Sequence, residues 1–138
     1  MLNNGIKGDA IDPAYLSRMK AAFERNGGVI DQSADAQAYF KMRGHAEGLT
    51  FNEKTILLPE NPTRSAVFEE FIHTSQHRRG LVNDYAQKYG NSGAELRLEI
   101  EAAEKLINNR KAWQIPNDET RQTIQRLRNM LQDLLERQ

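Results

Sequence analysis

FEEFIHTSQHRRG, residues 68–80, sets two carboxylates and two imidazoles against an apolar background. As one helix it gathers Glu69, Glu70, His73, Gln76 and His77 within about 120° of arc. Val67, Phe68, Phe71 and Ile72 occupy the rest of the circumference, with Thr74 and Ser75 between them, so one side is built to bury. Glu69 and His73 stand four apart and stack on one face. That is the spacing of two ligands for one metal ion, with Glu70 beside them as a candidate base. His77 repeats the interval from His73 and is a reserve ligand. The competing reading is a polar helix face in water, with Arg78-Arg79 marking a solvated helix end that suits the dipole.

Outward from this helix, the chain alternates caps and breakers. Asn61-Pro62 precedes it as a cap followed by proline, and Gly80 ends it. Before that, GLTFNEKTILLP (48–59) predicts a hairpin: Leu49–Phe51, a turn near Asn52-Glu53, then Lys54–Leu58 stopped by Pro59. Asp12-Pro13 opens a first helix to about Asn26, closed by Gly27-Gly28, and Val29-Ile30 is a short strand candidate. Ser33 caps a second helix that ends at Gly44, with His45 in the loop that follows. After the key helix, 81–88 add a helical turn or two and 89–93 form a loop. Ser92 with Glu95 is a capping-box pattern for a long helix from about Gly93 to Lys111. Pro116 breaks the chain, and a last helix from about Asp118 to Glu136 carries Ile124, Leu127, Leu131, Leu134 and Leu135 along one stripe, expected to be core, with helix-mediated dimerisation as the second reading. Trp113 and Tyr85 are expected to pack. The fold class expected is α+β, mostly helical, with a small antiparallel sheet (hairpin 48–58, joined by 29–31) on the key helix.

The chain has 138 residues, enough for one domain with its own core. The expected domain is 1–138, with a core of 12–111 and a C-terminal helix at 117–137. Charged residues make up 28 % and hydrophobic residues 38 %, a balance that suits a globule and argues against disorder. Lys+Arg and Asp+Glu are both 19, so there is no broad surface for nucleic acid. No apolar run is long enough to span a membrane. MLNNGIKGDAIDP lacks the basic-then-apolar pattern of a signal peptide. A cytoplasmic protein fits, and so does a domain of a larger exported or phage-delivered chain. Cysteine is absent, so a metal site would have to draw on His, Asp and Glu.

Two ligands on one helix turn need a third from elsewhere. The helix from Gly93 offers Glu95, Glu99, Glu101 and Glu104. Its apolar stripe is Leu96, Ile100, Ala103 and Ile107, flanked by Leu106, and Glu99 falls inside it. Glu101 lies on the opposite side, near Arg97 and Lys105. A carboxylate in an apolar stripe is costly unless it is paired or binds a cation. Glu99 is therefore the third-ligand candidate and Glu95 its reserve. The competing reading pairs Glu99 with a buried basic group such as Arg64.

Glu69-Glu70-Phe71-Ile72-His73 resembles the HExxH helix of zincin metallopeptidases, with glutamate in place of the first histidine. TILLPENPTRSAV (55–67) looks like the strand and loop that lead into that helix, and RLEIEAAEKLINN (97–109) is similar to the downstream segment that supplies a glutamate ligand. The stretch from Gly48 to Asn109 resembles zincin-like domains at the C-termini of bacterial polymorphic toxins and phage head proteins. The resemblance implies Glu69, His73 and Glu99 as metal ligands and Glu70 as general base. It implies one divalent ion, zinc first and manganese or iron next. It also implies a peptide or protein substrate lying along the edge of the Thr55–Leu58 strand, and an immunity or phage protein as partner. The departure at Glu69 makes the site one positive unit less electrophilic than a His-His-Glu site.

The function expected is that of a metal-dependent hydrolase, peptidase-type, with a toxin effector domain as its implied setting. Two alternatives stand beside it. Glu70-x-x-His73 is also the ExxH pattern of ferritin-like carboxylate-bridged di-iron proteins, although the second helix carries Glu101-x-x-Glu104. The other is a non-catalytic binding module with a degenerate site.

Overall fold

The computed structural model describes residues 6–44 and 47–138; His45 lies outside them. In chain order the elements are α1 (Pro13–Arg25), β1 (Val29–Asp31), α2 (Ala34–Arg43), β2 (Leu49–Asn52), β3 (Thr55–Leu57), α3 (Arg64–Arg78), α4 (Leu81–Asn108) and α5 (Asn117–Glu136). The fold is α+β and mostly helical. Local chemistry explains most boundaries. The Asp12 carboxylate accepts from the Ala14 N–H with Pro13 at the first helical position, and the Ser33 hydroxyl accepts from the Ala36 N–H.

The sheet is mixed where an antiparallel one was expected. β2 and β3 form the hairpin, while β1 pairs with β3 in parallel, Ile30 opposite Ile56. α2 and β2 together return the chain so that β3 enters beside β1 in the same direction. The strand order is β1-β3-β2. This corrects a second expectation: the Thr55–Leu58 strand is central, and both its edges are already paired. The outer strands are β1 and β2.

The core lies on either side of α3. Ile11, Leu16, Ile30, Ile56, Leu58 and Val67 form one cluster under the sheet. Phe68, Ile72, Ala102, Leu106 and Ile115 form another against α4, where Trp113 stacks on Phe68 at 4.8 Å between ring centres. Between α1, α3 and the end of α4 a groove of about 620 Å³ opens, lined by Met19, Phe23, Phe71 and Trp113 among others. None of Glu69, His73 and Glu99 lines it.

Three further expectations change. The loop placed at 89–93 shrinks to one residue: helical geometry runs through α4 except at Gly90, with φ 77° and ψ 170°, a conformation open to glycine. The cap of α3 is Thr63, whose hydroxyl accepts from the Ala66 N–H, not Asn61 two residues earlier. The leucine stripe of α5 is core only in part: Ile124, Leu127 and Leu134 are half-buried. Leu131 and Leu135 are 40 % and 66 % exposed, and the buried residues of α5 are Glu119, Thr120 and Thr123. α5 turns this polar stripe inward because small threonines allow close approach and Glu119 finds a partner, accepting from the Ser65 N–H at the start of α3.

Thr63→Ala should lower stability to denaturant by about 1 kcal/mol, the usual loss of a helix N-cap, whereas Asn61→Ala, at an exposed position, should change it little. Equal effects from the two substitutions would return the cap to Asn61.

Candidate metal centre

The polar side of α3 is not a solvated face. Glu69, Glu70, His73 and Gln76 are 1 %, 2 %, 0 % and 0 % exposed, because β2, α4 and α5 close over them. α4 brings Glu99 to the same place. Glu69, His73 and Glu99 each offer one ligand atom, and these atoms all lie within 4.8 Å of one another, so the three could hold a metal ion. The reserve residues are not part of this group: Glu95 is exposed, and His77 is half-buried one turn further along α3.

Gln76 orients the histidine. Its Nε2 donates to the Leu98 carbonyl at 2.9 Å and to Glu101 Oε1 at 3.0 Å. A carbonyl can only accept, so the orientation of the amide is fixed and Gln76 Oε1 faces His73 Nδ1 at 2.8 Å. Nδ1 must therefore carry a proton. In the neutral ring Nε2 then presents its lone pair, which is the arrangement a metal-ligating histidine needs. Nε2 stands 2.8 Å from Glu99 Oε1, yet both atoms are buried without an aligned hydrogen bond. With the ring protonated this contact is an ion pair; with the ring neutral, one nitrogen and two carboxylates converge, a set that fits a three-ligand metal site.

Glu101 does not point into solvent. It is half-buried, accepting from Gln76 Nε2 and from Arg79 Nη2 at 2.8 Å. The helix phase that placed Glu99 was right. Glu101, well round the helix, is met by residues from the end of α3. Glu104 is exposed. The basic partner of Glu99 is also different from the one expected. Arg64 donates to the Trp113 carbonyl and lies 4.2 Å over the Tyr15 ring. It is Arg126 of α5 that pairs with Glu99 Oε2 at 3.3 Å and with Glu69 Oε1. Sequence reasoning missed Arg126. It is flanked by Gln125, Leu127 and Arg128 in a helix rich in charge, where an arginine gives no signal of burial. A clue lay in its phase: it shares a face with Glu119 and Thr123.

Glu70 is turned toward the hairpin. Thr50 Oγ1 donates to Glu70 Oε1 at 2.7 Å. Gly48 allows this approach, since a Cβ there would come within 2.7 Å of Glu70 Cγ. Burial pushes the Glu70 carboxyl up to about 8; the His73 charge opposes this and the Glu69 charge adds to it. For His73, burial lowers the pKa, but the Glu99 carboxylate at contact distance and the charges of Glu70 and Glu69 outweigh it and raise the imidazole to about 9. Burial also acts on Glu99, but the His73 contact and Arg126 hold it below the usual carboxylate range. The His77 ring is lowered by burial and by its neighbour His73.

No family model, no curated protein and no solved structure matches the chain. No helix among the described residues is long and apolar enough to cross a membrane.

Both raised groups act in the same direction on the metal-free protein. His73 contributes stability in full below about 6.5 and loses it as pH rises through about 9; Glu70 does so from 4.5 through about 8. In chelator, the melting temperature should therefore fall between pH 6 and pH 9. A divalent ion must displace the His73 proton, so its stabilising effect should grow over the same interval. A melting temperature in chelator that is flat or rising across that range would contradict both assignments.

Proposed function

We propose that the protein is a zincin-like metal-dependent hydrolase of peptidase type, holding one divalent ion between Glu69, His73 and Glu99, with zinc the first candidate and manganese or iron the next. The observation that carries this reading is the convergence of the three buried ligand atoms around a histidine whose tautomer Gln76 fixes. Imidazole suits zinc and iron, while paired carboxylates widen the choice toward manganese. When bound, the ion supplies a Lewis acid for a scissile carbonyl and makes water a better nucleophile.

The chain's own residues do the rest. Glu69 and Glu99 approach from two helices, and Gln76 keeps the His73 Nε2 lone pair turned to the site. Glu70 takes and returns the proton: held by Thr50, with its carboxyl raised to about 8, it is matched to proton transfer near neutral pH. An extended peptide would pair with β2, an outer strand whose Thr50 holds Glu70. The di-iron alternative needs Glu101 and Glu104 at the site. Glu101 is engaged with Gln76 and Arg79, and Glu104 is exposed.

Metal analysis of protein purified without chelator should give one ion per chain. Glu99→Ala should lower that content, while Glu104→Ala on the same helix should leave it unchanged. Two ions per chain would favour the di-iron reading, and none would sink the metal reading altogether.

Glu70→Gln separates the base from the ligands. The amide keeps the shape but cannot accept the proton, so metal content should persist while cleavage of an unfolded protein such as casein falls about 10²-fold or more. Loss of the ion in this variant would make Glu70 a ligand instead.

A further inference from the structure

Arg126 is the group the zincin resemblance does not account for. It comes from α5, outside the stretch that carries the resemblance, and its guanidinium reaches both carboxylates of the proposed centre. It is only 15 % exposed. The two oxygens of Glu99 divide their work: Oε1 faces His73 Nε2 at 2.8 Å, and Oε2 faces Arg126 Nη1 at 3.3 Å. Arg126 therefore holds the oxygen turned away from the histidine, and it can stay in place while Oε1 and Nε2 share an ion.

Charge explains why it should stay. A His-His-Glu site has one negative ligand. Exchanging the first histidine for glutamate adds a second, and burying two carboxylates without compensation is expensive. Arginine remains charged at any pH the protein meets and can reach two carboxylates with separate N–H groups. One guanidinium against Glu69 and Glu99 restores a single net negative charge.

We propose that Arg126 is the charge-balancing residue of the metal centre: with Glu69 it forms a pair equivalent to one neutral ligand, which makes α5 an integral part of the site. This rests on the metal reading above. Arg126 is a positioning residue here. It sets the charge and spacing of the two carboxylates and touches neither ion nor substrate. The alternative is that Arg126 is an intramolecular competitor, occupying the carboxylates until an ion expels it.

A double-substitution cycle distinguishes these. Zinc affinity, by competition with a chromophoric chelator, and melting temperature in chelator are measured for wild type, Glu69→His, Arg126→Gln and the double variant. Charge balance predicts that Glu69→His alone weakens zinc binding, since a cation then faces a site with one carboxylate. Arg126→Gln alone lowers the melting temperature in chelator, because two buried carboxylates lose their partner. The double variant should recover both properties, with a coupling of about tenfold or more in affinity, as expected for side chains in contact. Arg126→Lys, which keeps the charge and guards against misfolding of the glutamine variant, should lie close to wild type in zinc affinity.

Equal tightening by Arg126→Gln in the wild-type and Glu69→His backgrounds would establish the competitor and overturn the proposal. So would effects that simply add in a wild type that does bind zinc; the metal reading would survive either result. A wild type that takes up no zinc overturns both.

Discussion

Glu69 and Glu99 put two carboxylates into the seam between α3 and α4, and every nearby feature of the fold answers that burial. Moving a charge out of water is expensive unless it is paired and hydrogen-bonded. Here the pairing comes from two directions. His73 meets Glu99 within the seam, and Arg126 meets both carboxylates from α5. Gln76 then links the pair to the backbone of α4 through Leu98 and to Glu101, which Arg79 holds in turn. The groups depend on one another, so removing one leaves its neighbours buried without a partner, the situation in which a polar network is most costly.

α5 follows from the same constraint. A helix with leucines at 127, 131, 134 and 135 would ordinarily dock by them. Its fully buried residues are Glu119, Thr120 and Thr123, with Arg126 on the same face and Leu127 and Leu134 half-buried beside them, while Leu131 and Leu135 stay exposed. Glu119 accepts from the first turn of α3, Gln122 exchanges hydrogen bonds with the Lys7 backbone, and Arg137 reaches Ser92 at the far end. The helix is fixed along its length by polar contacts whose geometry is directional. That sets its rotation more narrowly than a leucine face would, and the rotation aims Arg126 at the site.

Much of this was legible in the sequence because it is local. The caps at Asp12 and Ser33, the stop at Gly44, the hairpin around Asn52 and the long polar-and-apolar helix at 64–78 each follow from residues within a few positions of one another. Glu99 was found by a different argument, a charge in the wrong phase of an apolar stripe, and the structure places it beside His73. What the sequence concealed was non-local. That β1 would join in parallel and leave Thr55–Leu57 central depends on pairing across the whole hairpin. The rotation of α5 depends on partners more than fifty residues away: Glu119 on Ser65, Arg126 on Glu69. A hydrophobic stripe is a strong cue for burial, and here it was followed only in part: Leu127 and Leu134 are half-buried, while the fully buried positions of α5 are polar ones whose partners lie far along the chain.

The network could in principle be only a strut. Buried ion pairs, however, are poor stabilisers: well-packed apolar residues of similar volume usually do as well or better. A chain selected for a firm α3–α4 seam alone has simpler solutions at 69, 73, 99 and 126 than two carboxylates, an imidazole and a guanidinium. Next to them Thr50 and Gly48 hold another carboxylate, Glu70, in a setting that makes it a weak acid near neutrality. A strut has no use for that third carboxylate, whereas the proposed centre, which would hold a cation and move a proton, has a place for each.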